Sequence, residues 1–135
     1  MPPGGFEDCM TTEDIWYRMQ RRVPPVVSEY FRGGADAEIT LHANVRAFQQ
    51  SFVNAEGATH FEAVDTSTTV LDHRIQLPWY ITPVGSLRTL YPKAEAIAAK
   101  VAGQFGTVMG LSTLSGTPME EVAQASSHSC WFQLY

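Results

Sequence analysis

The sequence predicts an α/β protein, and three observations lead to that prediction. Residues 79–135 alternate short apolar runs with helical periodicity, the pattern of βαβ units whose parallel strands are covered on both faces. This stretch holds three such strands, whereas a closed barrel of this kind needs about eight units over roughly 250 residues. The third apolar run reaches the last residue, which would leave an unpaired apolar edge. We therefore expect the amino-terminal portion of a TIM (β/α)8 barrel, truncated after the third barrel strand.

Composition and charge exclude several classes of protein. The chain has 135 residues, 44% hydrophobic and 17% charged, which is typical of a packed globular domain. A net charge of -5 offers no basic patch for nucleic acid. Cys9 and Cys130 are the only two cysteines and lie at opposite ends of the chain, so neither a disulfide framework nor a metal site is suggested. No signal peptide or membrane-spanning stretch is evident, so we expect a cytoplasmic protein.

Residues 1–10 are expected to form a disordered start, and residues 11–53 a preface of three helices. Thr11 stands three residues before Asp14, which is the spacing of a capping box at the start of the first helix. Pro25 suits the first turn of the second helix, and Gly33 with Gly34 is expected to end it at positive φ. Two apolar stripes are predicted on the second and third helices: Val26, Val27, Tyr30 and Phe31, then Leu41, Val45 and Phe48.

In residues 66–77 the apolar pattern changes to a period of two, which predicts a β-hairpin. β-Branched residues up to Val70 precede a tight break at Leu71–His73, and Ile75 and Leu77 then alternate with polar residues. A small antiparallel flap is therefore expected.

The predicted barrel strands are the runs WYIT, TVMGLS and CWFQL. Between the first two, a helix is expected to end at Gly106. Its predicted buried stripe consists of Ile97, Ala98, Val101, Ala102 and Phe105. A second helix is expected to start with Thr117 as N-cap, Pro118 in the first turn and Glu120 three residues after the cap.

Polar or small residues follow each predicted strand, where parallel sheets carry their chemistry. Pro83, Val84 and Gly85 follow the first strand, Ser112 and Thr113 follow the second, and Gln133 and Tyr135 end the third. The Gln133 amide both donates and accepts, which suits the polar edge of a heterocycle. Each feature alone also fits a turn, a helix cap or a satisfied polar residue of the barrel wall.

Several motifs together resemble one enzyme family. They are VPPVVSEYFRGGADAEITLHANVRAFQ, LPWYITPVG, GLSTLSGTPMEEV and WFQLY, in that order, covering residues 21–135. The sequence resembles the amino-terminal part of the FMN-dependent 2-hydroxy acid dehydrogenases and oxidases. That resemblance implies a partial TIM barrel over residues 11–135, with a helical preface and a hairpin across its bottom. It also implies FMN as cofactor and oxidation of a small 2-hydroxy acid to a 2-oxo acid.

The resemblance further implies roles for individual residues. Pro83, Val84 and Gly85 would lie along the flavin ring. Ser112 and Gln133 would hydrogen-bond its polar edge. Tyr135 would serve both cofactor and substrate, and Tyr30 would hold the substrate carboxylate. The full-length form is expected to be a homo-oligomer.

The histidine that acts as base in the family is expected beyond Tyr135, so no catalytic residue is assigned in this chain. The four histidines (His42, His60, His73 and His128) match no catalytic position and are expected at the surface. The chain alone is therefore expected neither to bind FMN tightly nor to turn over. It also departs from the usual family pattern at Asn54-Ala55-Glu56 and at Tyr91-Pro92-Lys93-Ala94.

Two other interpretations stay open. The chain would be a non-catalytic remnant or interaction module derived from the family if no catalytic segment follows. Alternatively, the whole enzyme would act on a modified peptide or another large alcohol. These motifs identify neither the 2-hydroxy acid nor the electron acceptor.

Overall fold

The computed structural model describes residues 6–55, 57, 60 and 62–135, which fall into two compact units, residues 1–59 and 60–135. The first unit holds a 3₁₀ turn at Phe6–Asp8 and three helices. These are α1 (Thr12–Gln20), α2 (Pro25–Arg32) and α3 (Ile39–Gln49). The expected disordered start thus contains one turn of helix, and its residues 1–5 lie outside the described residues.

The capping box at α1 is confirmed. Thr11 is the N-cap; its Oγ1 accepts from the Asp14 backbone N–H at 3.2 Å, and its own N–H donates to Asp14 Oδ2 at 2.9 Å. Hydrogen bonds from the Thr11 hydroxyl and from the Thr11 and Met10 backbone hold the pKa of Asp14 below its ordinary value of 3.8. Local sequence therefore specifies this helix start.

Two details of the preface differ from prediction. α2 begins with Pro25 as expected, but Gly33 ends it at φ -70 and ψ 150, an extended conformation. Positive φ occurs instead at Asp36 and Glu38. Two of the four positions of the predicted α2 stripe are exposed, Val26 at 78% and Tyr30 at 66%, and Phe48 of α3 is 85% exposed. Periodicity identified the helices correctly, but a stripe is buried only where another layer covers it.

The second unit opens with the predicted hairpin. β1 (Thr68–Val70) pairs antiparallel with β2 (His73–Ile75). Leu71 and Asp72 between them have φ of 48° and 62°, as a two-residue type I′ turn requires. His73, expected in the turn, is the first residue of β2.

Alternating helices and parallel strands follow the hairpin. They are α4 (Ala94–Gln104), β3 (Met109–Leu111), α5 (Met119–Ala125) and β4 (Cys130–Phe132). β3 and β4 are parallel, with Met109 opposite Cys130 and Leu111 opposite Phe132. The predicted first barrel strand is reduced to one parallel bridge between Ile81 and Met109. Pro83, two residues later, has no N–H to extend this ladder.

The core lies between α4, α5 and β3. Its buried cluster consists of Ala99, Ala102, Met109, Leu111 and Val122. The predicted stripe on α4 is wrong in three of its five positions, because Ile97, Val101 and Phe105 are 45%, 40% and 62% exposed. The face that is buried consists of small residues and one carboxylate: Glu95, Ala96, Ala99, Ala102 and Gly103.

Close packing explains why the small face of α4 turns inward. A Cβ added at Gly103 would lie 2.7 Å from Ser127 Oγ, so the helix backbone approaches the segment before β4 too closely for a larger residue. Gly106 after the helix has φ +66, which confirms its predicted role in ending α4.

The predicted cap of α5 is wrong. The helix begins at Met119 with Pro118 in the N-cap position and no capping side chain. The Thr117 hydroxyl instead donates to Glu95 Oε2 at 2.7 Å. A buried carboxylate on α4 thus orients the side chain that local sequence assigned to the cap.

Candidate functional site

The carboxyl ends of β3 and β4 bring Ser112 and Gln133 together. Each residue comes one position after the last ladder pair, Leu111 and Phe132. The Gln133 backbone N–H donates to the Leu111 carbonyl at 2.9 Å, which continues the parallel pairing. The Ser112 hydroxyl donates to Gln133 Oε1 at 3.3 Å. Strand register therefore places the hydroxyl and the amide side by side.

Ser112 is almost fully buried, with 4% of its surface exposed. Its Oγ also accepts from the Leu114 backbone N–H at 3.1 Å, so the hydroxyl is oriented by two partners. The Thr113 hydroxyl donates to the Gln133 carbonyl and adds a second link between the loop and β4. Because Gln133 accepts through Oε1, its amide N–H groups remain as donors for a further acceptor.

The loop after Ile81 packs against this pair. A Cβ added at Gly85 would lie 3.3 Å from Leu114 Cβ and 3.6 Å from Ser112 Oγ. The Ser86 backbone N–H donates to the Leu114 carbonyl at 3.0 Å. A Cβ added at Gly110 would lie 2.9 Å from Pro83 Cδ. The loop after Ile81 and the loop after β3 therefore contact each other just beyond the carboxyl ends of the strands.

The structure therefore brings together Pro83, Gly85, Ser112 and Gln133, and half-buried Val84 lies in the same loop. Tyr135 is two residues beyond Gln133 and is 79% exposed. Tyr30 lies in the first unit, on α2, with its ring edge-to-face against Phe31 at 5.2 Å. The substrate-binding roles of the two tyrosines stay predictions.

Glu95 is the polar residue that sequence reasoning missed. It has no exposed surface, and its Oε1 accepts from the Gly116 backbone N–H at 3.1 Å while Oε2 accepts from Thr117. Burial by itself raises the pKa of Glu95, but hydrogen bonds from the Thr117 hydroxyl and from nearby backbone groups outweigh it and hold the pKa below its ordinary value of 4.5. The available signal was its spacing from Ala99 and Ala102, which puts a carboxylate on the apolar face of α4.

The histidines lie away from this loop pair in sequence and differ in burial. His42, His60 and His73 are exposed, while His128, just before β4, is half-buried. No helix among the described residues is long and apolar enough to cross a bilayer.

The sequence that forms this α/β unit matches a known protein family. Residues 19–135 match the family described as FMN-dependent dehydrogenase. The chain therefore belongs to the FMN-dependent dehydrogenase family, whose cofactor is FMN.

Curated relatives include two enzymes named L-lactate dehydrogenase. Those from Allorhizobium ampelinum and Acinetobacter baumannii are each 35% identical to the chain over 116 residues, or 86% of it. The matched segment is 31% and 30% of their respective lengths. The chain thus spans about a third of the length of the curated relatives it matches.

Solved structures share this fold. A soluble mutant of the membrane-associated (S)-mandelate dehydrogenase from Pseudomonas putida superposes with a TM-score of 0.86 at 30% identity, covering 95% of this chain and 37% of that one. A flavocytochrome b2 variant gives a TM-score of 0.88 at 23% identity over 98% of this chain and 36% of its own, which shows the fold alone.

The residues present fit part of an FMN site. The glycine at position 85 lets its loop pack close to Leu114 and Ser112, so the loop backbone lies beside the Ser112–Gln133 pair. The Gln133 amide donors and the remaining acceptor lone pair of the Ser112 hydroxyl match the alternating acceptors and donors at the polar edge of a flavin. These groups suit the ring of FMN.

Proposed function

We propose that the second unit supplies the flavin-facing part of an FMN-dependent oxidoreductase that converts a 2-hydroxy acid to a 2-oxo acid. The observation that carries this proposal is the Ser112–Gln133 pair, held at 3.3 Å beside the loop of Gly85. Membership of the FMN-dependent dehydrogenase family supports it independently.

In this proposal the chain's own residues bind and orient the cofactor. Pro83, Val84 and Gly85 lie along the ring, and Ser112 and Gln133 hydrogen-bond its polar edge. When bound, FMN accepts the hydride equivalent removed from the substrate. Ser112 is already fixed by its hydrogen bonds with Leu114 and Gln133. The protein groups that hold the ring therefore need little reorganisation during the reaction.

The substrate side of the proposal rests on the two tyrosines. Tyr135 directs its hydroxyl toward the substrate from the end of β4, and Tyr30 holds the substrate carboxylate from α2. The relatives' names, L-lactate dehydrogenase and (S)-mandelate dehydrogenase, support a small 2-hydroxy acid as substrate. A cytoplasmic location and a homo-oligomeric full-length form are part of the same proposal.

We further propose that residues 11–135 correspond to the leading part of a TIM barrel, with its first three strands in residues 79–135. Coverage of about a third of the curated relatives supports this correspondence. The base and the carboxylate clamp are then contributed by later barrel units. The 135-residue chain by itself accordingly does not oxidise 2-hydroxy acids.

Expression of the complete reading frame that contains this chain tests the proposal. The purified product should be yellow, and L-lactate or (S)-mandelate added without air should bleach its visible flavin absorption. The 135-residue chain, treated identically, should show no turnover. A colourless product that takes up no added FMN would instead support the alternative of a non-catalytic remnant or interaction module. Turnover by the 135-residue chain would contradict the assignment of the base to later units.

A further inference from the structure

Glu95 is a fully buried carboxylate on a helix face made otherwise of alanine and glycine. Burying a carboxylate costs free energy unless it is well hydrogen-bonded, so its partners indicate what it stabilises. Both oxygens are used, Oε1 by the Gly116 N–H at 3.1 Å and Oε2 by the Thr117 hydroxyl at 2.7 Å. Glu95 therefore binds the loop between β3 and α5, residues 112–118, rather than a neighbouring cation.

A continuous series of hydrogen bonds runs through that loop, from Glu95 to Ser112. Ser115 Oγ donates to the Thr117 carbonyl at 2.8 Å and accepts from the Thr117 N–H at 3.1 Å. The Ser115 N–H donates to the Ser112 carbonyl at 3.1 Å, and the Leu114 N–H donates to Ser112 Oγ at 3.1 Å. A shift at Thr117 is thus transmitted to the hydroxyl that faces Gln133.

The loop after Ile81 is hydrogen-bonded to the same segment, at Gly116. Arg88 lies in a 3₁₀ turn, Leu87–Thr89, and its Nη1 donates to the Gly116 carbonyl at 3.1 Å. The Arg88 backbone also helps to lower the pKa of the Glu95 carboxylate. A Cβ added at Gly116 would lie 2.7 Å from Arg88 Cβ, so the two loops are in direct contact there. Nearer the strand ends, the Ser86 N–H donates to the Leu114 carbonyl at 3.0 Å.

We propose that Glu95 is a positioning residue for the flavin-facing loops. Its carboxylate binds Gly116 and Thr117, at the end of the Ser112 loop that is remote from Ser112. Arg88 connects the same point to the loop that carries Gly85. This inference rests on the proposed function in one respect, namely that those loops face the flavin. Glu95 itself contacts neither cofactor nor substrate.

Four substitutions in the product of the complete reading frame test the proposal. Glu95→Gln removes the charge and one acceptor oxygen, and Thr117→Val removes only the hydroxyl donor. Thr117→Ser restores that hydroxyl and serves as the rescue. Glu120→Gln, at an exposed position in the first turn of α5, makes the same charge change without removing any of the hydrogen bonds described above and is the matched control.

Two quantities are measured: amide hydrogen exchange at Ser86, Leu114 and Gly116, and the FMN dissociation constant. In Glu95→Gln and Thr117→Val, exchange at these amides should be at least about tenfold faster and the FMN dissociation constant about tenfold higher, since each variant loses a hydrogen bond to a charged group. Thr117→Ser and Glu120→Gln should match the parent protein. A purely structural link between α4 and α5 would lower stability without changing FMN affinity in the folded protein.

Unchanged FMN affinity in both Glu95→Gln and Thr117→Val would overturn the inference, as would unchanged exchange at Leu114 and Ser86. If Glu95→Gln does not fold, Thr117→Val carries the same test, because it removes one buried hydroxyl and no charge. A parent protein that binds no FMN would refute the proposed function. The exchange rates at Leu114 and Ser86 would then still decide whether Glu95 holds the two loops.

Discussion

The Ser112 hydroxyl donates to Gln133 Oε1 at 3.3 Å, which links the ends of β3 and β4 at the point where the parallel ladder stops. Ser112 and Gln133 are 21 residues apart in sequence, and the in-register pairing of Leu111 with Phe132 brings them side by side. The pair presents amide donors beside a loop that has no side chain at Gly85.

Replacement of Ser112 by alanine should weaken FMN binding. The substitution removes the donor to Gln133 and leaves the Leu114 N–H without its acceptor, so we expect about a tenfold rise in the FMN dissociation constant. Flavin fluorescence titration of the complete reading-frame product measures it. Ser129→Ala, an exposed serine just before β4, is the control and should bind FMN like the parent. Equal affinity in Ser112→Ala would argue against Ser112 as a cofactor contact.

Glu95 should make stability depend on acid pH. Its pKa in the folded protein lies below the ordinary 4.5, so the ionised carboxylate stabilises the fold above that value. This contribution is lost as pH falls through the folded pKa. Urea unfolding at about pH 7 and about pH 3.5 should show the advantage of the parent over Glu95→Gln shrinking at the lower pH. A pH-independent difference would mean that the charge of Glu95 contributes nothing.

Gly106→Ala should destabilise the second unit. Gly106 has φ +66, and an added Cβ would lie 2.5 Å from Gln76 Cγ, so strain and a clash combine. The left-handed conformation alone costs about 1–2 kcal/mol in the free energy of unfolding. Gly57→Ala, where the added Cβ meets nothing within 4 Å, is the matched control. Similar urea midpoints for the two variants would show that the Gly106 turn adjusts without strain.

Met109→Ala should lower the free energy of unfolding by about 2–5 kcal/mol, because it removes a side chain that is 2% exposed and leaves a cavity between β3 and α4. Met119→Ala, at a position 52% exposed, should change it by less than about 0.5 kcal/mol. Chemical denaturation of both variants measures the difference. Equal losses would contradict the position of the core.

Much of the local structure follows from the sequence. The capping box of Thr11 and Asp14, the start of α2 at Pro25 and the positive φ of Gly106 all depend on groups within a few residues of one another. The order of strands and helices in the second unit was likewise predicted, because covered parallel strands are apolar runs. Ser112 and Gln133 were found because they follow such runs.

The errors have a common physical cause. On α4 the alternative faces are both apolar, so periodicity does not reveal that the small face packs inward against Ser127. Thr117 has the spacing of an N-cap, but its hydroxyl donates to a buried carboxylate on another helix, and α5 begins after Pro118 instead. In both cases the decisive partner is distant in sequence.

Sequence alone thus determined the starts of α1 and α2, the hairpin, the resemblance to FMN-dependent enzymes and the candidate residues at the strand ends. Tertiary structure decided which face of α4 is buried, which group binds Thr117 and how Ser112 meets Gln133. The reason is that capping and turn conformation depend on neighbours along the chain. Burial and long-range hydrogen bonds depend instead on which surfaces meet, and Glu95, Gly116 and Thr117 meet only when α4 packs beside the loop after β3.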